Sequence, residues 1–130
     1  MKNLSAGLAT LLAFSLLGFA VPADGTYSGE IMDAACAKAG SHTVMMKTAG
    51  VKTAKECTDA CVKMGSKYVL FDKATKKVYQ LDDQTKPEQF AGQKVSVKGT
   101  VDAAIQTIHV TDIEAAKGAA KSKKAPNQGL

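Results

Sequence analysis

The sequence predicts a mainly β fold: a small five-stranded barrel with a helical insert between its first and second strands. Three observations predict it. Short apolar runs alternate with polar positions at a two-residue period, as half-buried strands do. Polar, turn-forming segments separate those runs. One strong helical pattern, with a helix start and a helix stop, falls between the first two. The chain of 130 residues suits one domain rather than two. With 45% hydrophobic and 22% charged residues, collagen-like, coiled-coil and wholly disordered chains are excluded.

The elements follow in order. Tyr27-Ser-Gly-Glu-Ile-Met-Asp33 reads as the first strand. Residues 34–52 carry no clear period and are expected to be irregular. Thr53 with Glu56 three residues on is a capping box, so a helix is expected over Ala54–Met64. Ala54, Cys57, Cys61 and Met64 recur at 3, 4, 3 spacing and should share a face, and Gly65 is the expected left-handed stop. Tyr68–Phe71 and Val78–Leu81 flank the polar run 72–77 as a hairpin. Residues 83–92 suit a short helix or turn, with Phe90 as its core anchor. Val95, Val97 and Val101 then alternate with Ser96, Lys98 and Thr100, and Gly99 marks a bend or bulge. The last strand spans Thr107–Ile113, with Ile108 and Val110 inward.

Five short strands with a helical segment between the third and fourth fit a closed or partly open barrel of the OB kind. Closure removes exposed strand edges, which a domain this small needs. A small α+β sheet is the alternative.

The two ends differ from this body. Residues 1–23 combine a basic start (Met1-Lys2-Asn3), an apolar run over Leu4–Ala20 and small residues before Asp24. This is the pattern of a cleaved secretory signal. It implies a periplasmic or secreted protein, in a compartment where disulfides persist. No transmembrane segment is expected after cleavage. The barrel domain is expected over residues 24–116. Residues 117–130 are rich in Ala, Lys, Gly and Pro and are expected to be a disordered tail, suited to touching anionic surfaces. The charge of +5 resides largely in that tail: residues 24–113 hold 12 lysines against 11 acids. A nearly neutral body does not support nucleic-acid binding.

The residues with the most chemistry are Cys36, His42, Cys57 and Cys61. Cys57 and Cys61 lie four apart on the expected helix, and Cys36 and His42 lie just before it. Three thiolates and an imidazole would make a tetrahedral soft-metal site, for zinc or copper. The spacing C-x5-H-x14-C-x3-C is not that of a standard zinc finger. The alternative is a disulfide of Cys36 with Cys57 or Cys61, which leaves one thiol over. Met45, Met46 and Met64 lie near this group and suit core filling. Glu30, Asp33, Asp82 and Asp83 offer oxygen ligands, without the spacing of a calcium loop. No nucleophile elbow, phosphate loop, H-E-x-x-H or C-x-x-C motif is present, so a non-enzymatic role is expected.

The run Phe90–Asp102, followed by Thr107–Ile113, resembles the C-terminal half of small exported bacterial OB-fold proteins. The region Tyr27–Ile113 resembles a set of uncharacterised secreted bacterial proteins with an OB-like barrel. The shared pattern is Gly29-x-x-x-Asp33-x-x-Cys36, a His, Cys57-x-x-x-Cys61-Val62, and Gly65-x-Lys67-Tyr68-Val69-Leu70. The resemblance implies fold and location, and assigns no activity. The resulting expectation is an exported binding module, of unknown ligand or protein partner, with a soft-metal Cys/His cluster. The alternative is a structural or protein-interaction module with a Cys36 disulfide and no metal.

Overall fold

The computed structural model describes residues 22–118. The expected export signal (residues 1–23) as far as residue 21, and the expected tail (residues 117–130) beyond residue 118, lie outside the described residues. Five strands close into a barrel in the order β1-β2-β3-β5-β4. They are β1 (Ala23–Asp33), β2 (Tyr68–Asp72), β3 (Lys77–Leu81), β4 (Lys94–Asp102) and β5 (Thr107–Ala115). All neighbours are antiparallel except β3 and β5, which meet in parallel at Gln80–Thr107 and Leu81–Ile108. The expected five-stranded OB-like barrel is therefore the observed architecture.

Strand β1 serves two partners. Its first part pairs with β4 and its last four residues pair with β2, with Glu30 opposite both Lys94 and Phe71. Gly29 sits at this transfer. A Cβ there would lie 2.6 Å from the Phe71 carbonyl oxygen, so only glycine allows the strands to close. Gly99 is the second such position. The ladder between β4 and β5 shifts register between Lys98 and Gly99, skipping Thr111. The bulge expected at Gly99 is thus present, and the skipped residue lets Ile108, Val110 and Ile113 all turn inward.

The barrel interior holds Ile31, Leu70, Leu81, Val95, Val97, Ile108 and Ile113. Phe90 packs against this core only half-buried. In the 3₁₀ helix Lys86–Phe90 it is Pro87 that is fully buried, and Ala91 follows it into the core.

The insert between β1 and β2 lies on the outer face of those strands. Met32, Val69 and Phe71 point outward and form a second core with Cys36, Ala37 and Cys57. This explains the unbroken apolar run Tyr68–Phe71: both faces of β2 are covered. The two ends of the insert meet where Ala34 N–H donates to Lys67 C=O at 2.9 Å.

Residues 34–52 correct the expectation of irregular chain. They form two short helices, α1 (Ala34–Ala39) and α2 (Thr43–Ala49). Six and seven residues are too few to show a helical period. Their signals are the caps: Asp33 before α1, with Gly40 and Gly50 as left-handed stops. The third helix, α3 (Ala54–Lys63), has the expected capping box. Glu56 N–H donates to Thr53 Oγ1 at 3.2 Å, and Thr53 N–H donates to Glu56 Oε2 at 3.1 Å. One member of its expected face is wrong: Met64 is 75% exposed, and Thr58 is buried in its place beside Cys57 and Cys61. Among the described residues no helix is long and apolar enough to cross a membrane.

The parallel seam needs a clamp, because β3 and β5 share only two register pairs. Asp82 supplies it. Its Oδ1 accepts from Val110 N–H at 2.8 Å, and its Oδ2 lies 3.1 Å from His109 Nδ1. The Val110 bond leads in holding the Asp82 carboxyl below the usual carboxylate range. A depressed folded pKa means stability that is present above about pH 4 and lost as pH falls through the folded value. Asp82→Ala should therefore cost about 1 kcal/mol at neutral pH. That difference from the parent should vanish toward pH 2–3 in denaturant melts (about one to two units below the unfolded value).

Candidate metal centre

The end of β1 determines where the centre forms. Asp33 closes the strand and caps α1, its Oδ2 accepting from Cys36 N–H at 2.9 Å. This cap places Cys36 in the first turn of α1, facing inward. Helix α3 packs across the same point and turns Cys57 and Cys61 to it, one helical turn apart. The outcome is one group of four donors: Asp33, Cys36, Cys57 and Cys61, with ligand atoms all within 4.8 Å of one another. All four residues are buried, Asp33 and Cys36 completely.

Two features of this group bear on metal binding. The first is Asp33 Oδ1, which is buried without a hydrogen-bond partner among the described residues. A carboxylate oxygen in that state is costly unless a cation or proton meets it. Thr58 Oγ1, on the same helix face as the two cysteines, is also unpartnered. The second is the sulfur spacing. Cys36 Sγ and Cys57 Sγ stand 3.8 Å apart. Zinc–sulfur bonds of about 2.3 Å at tetrahedral angles put two sulfurs about 3.8 Å apart.

The expected Cys36 disulfide is not formed. A bonded pair would lie at about 2.05 Å, and all three cysteines are free. Burial keeps the Cys36 and Cys61 thiols protonated when no metal is bound. Burial first, then the Asp33 carboxylate and then the Cys57 thiol, hold Cys36 far above the ordinary thiol range. The same causes, burial first, raise Cys61. Low-pKa reactive thiols are the opposite case. A metal cation reverses this balance, because its charge deprotonates a coordinating thiol outright.

His42, expected among the ligands, is not part of the four-donor group. Its Nε2 lies 3.0 Å from Glu30 Oε1 instead. The turn through Gly40 separates it from Cys36: Ser41 N–H returns to the Cys36 carbonyl and α2 starts at once. Asp33 occupies the fourth place that the sequence reading gave to His42. Its signal was the Asp-x-x-Cys spacing of a capped helix start, which brings a carboxylate and a thiol together. The other carboxylates have separate tasks. Glu30 pairs with His42 and Asp82 clamps the seam. Asp83 accepts from Thr85 and Lys86 N–H at the start of the 3₁₀ helix.

Residues 63–116 match the family model described as Protein of unknown function (DUF5818). The match begins at the last residue of α3 and takes in β2 to β5. It stops short of Asp33, Cys36, Cys57 and Cys61, so the four-donor group lies outside the matched residues. No curated protein and no solved structure matches the chain.

Asp33 has two separable roles, cap and charge. Asn keeps the capping acceptor and removes the unpaired charge; Ala removes both. In chelator-treated protein, Asp33→Asn should be at least as stable as the parent. Asp33→Ala should lose about 1 kcal/mol in the same denaturant melts.

Proposed function

We propose that the chain is an exported, non-enzymatic barrel protein whose helical insert is fixed by a buried zinc centre. Cys36, Cys57, Cys61 and Asp33 are its ligands. The observation that carries this reading is the buried four-donor group, its ligand atoms all within 4.8 Å of one another. The donor set selects the metal. Zinc accepts both thiolate sulfur and carboxylate oxygen, whereas Cu(I) favours sulfur alone. Three thiolates and a carboxylate carry the same formal charge as the Cys₄ set of structural zinc sites. A four-ligand, buried centre leaves no open position for substrate, which is the character of a structural site rather than a catalytic one.

Export rests on the N-terminal sequence. Strand β1 begins at Ala23, and its pairing with β4 runs on from Asp24. A cut before Asp24 leaves that pairing intact except at Ala23. The exposed surface of the barrel remains available for a ligand or protein partner. The metal's task in this reading is to hold the insert on β1 and β2. Zinc also keeps three thiols from oxidising in a compartment that favours disulfides.

Native mass spectrometry without reductant tests the reading. One zinc per chain is expected, lost on Cys61→Ser. A metal-free mass lower by about 2 Da would overturn it and favour a Cys36–Cys57 disulfide in a purely structural module.

A further inference from the structure

A second set of soft donors lies beside Glu30, apart from the thiol group. His42 is 8% exposed, and its Nδ1 is buried without a partner among the described residues. Its Nε2 faces the Glu30 carboxylate at 3.0 Å. In the neutral ring that carboxylate accepts a hydrogen bond only if Nε2 carries the proton, and Nδ1 then keeps its lone pair. A buried lone pair facing no donor calls for an explanation. One ring nitrogen held by a carboxylate while the other stays free is the way proteins present a histidine to a metal.

The neighbouring donors are thioethers. Met46 N–H donates to the His42 carbonyl at 2.8 Å, so the two residues are one helical turn apart on one face. His42, Met46, Met32 and Glu30 line the same cavity, of about 240 Å³. Met32 comes from the outer face of β1, and Met46 packs against the core that contains it. Lys73 lines the cavity from its exposed side.

We propose that His42 Nδ1 with the sulfurs of Met46 and Met32 forms a binding site for a soft monovalent cation of the Cu(I) and Ag(I) class, with Glu30 orienting the imidazole. Thioether sulfur selects such ions and is a poor ligand for magnesium or calcium. The three ligands are neutral, and Lys73 offsets Glu30, so the site suits a single positive charge better than a double one. Zinc, which gains from anionic thiolates, belongs at the other centre. This site does not depend on that reading, since it uses none of its ligands.

Ag(I) is the probe, because it is soft and redox-silent. The full chain carrying Cys36→Ser, Cys57→Ser and Cys61→Ser removes the competing thiols. With ¹³C-methyl methionine and ¹⁵N-histidine labels, one equivalent of Ag(I) should shift the Met32 and Met46 methyls and His42 Nδ1. The Met45 and Met64 methyls should stay in place. Glu30→Gln should weaken the site about 10- to 100-fold, as loss of a supporting carboxylate does. If the thiol-free chain does not fold, the same resonances are read in the parent, where they should move once the thiols are saturated. Silent His42 resonances, equal shifts at Met32, Met45, Met46 and Met64, or unchanged affinity in Glu30→Gln would overturn the proposal.

Discussion

A buried carboxylate stands where β1 leaves the barrel, and the rest of the insert is arranged around it. Asp33 is wholly inaccessible, yet one of its oxygens has no partner among the described residues. Its other oxygen starts α1 and thereby fixes Cys36. The Ala34–Lys67 hydrogen bond closes the excursion, so α3 returns over the same spot. An unpaired buried charge of this kind is normally removed from a core or met by a cation. Three thiols converge on it, and a cation bound among them would meet that charge.

This view separates what the barrel does from what the insert does. The barrel is held by its own apolar interior, from Ile31 and Leu70 to Ile108, which includes none of the four donors. The insert has a smaller core, of which two members are cysteines. Helix α2 contributes no buried residue at all. Elements with so few apolar contacts open most easily. A metal bound to α1, α3 and the end of β1 would add stability at this weak place, because metal binding to a folded site is folding free energy.

The barrel was legible because its strands obey simple periods. Val95 and Val97 alternate with polar neighbours, and Gly99 interrupts them where the ladder shifts. The capping box announced α3 by itself. Helices α1 and α2 were not legible, being too short to show a period, although Asp33, Gly40 and Gly50 marked their ends. The site was half legible. Helical spacing placed Cys57 and Cys61 together, but closeness in sequence suggested His42 for the fourth ligand. A left-handed turn at Gly40 sends His42 toward Glu30 instead. Asp33 read as the last residue of a strand, and only the path of the returning helix shows that its side chain meets three sulfurs.

Zinc K-edge absorption on the purified, metal-loaded chain tests the central claim most directly. A four-atom shell is expected, with about three sulfurs near 2.3 Å and one oxygen at about 2.0–2.2 Å. A shell of nitrogen and oxygen alone, or one without sulfur, would contradict it.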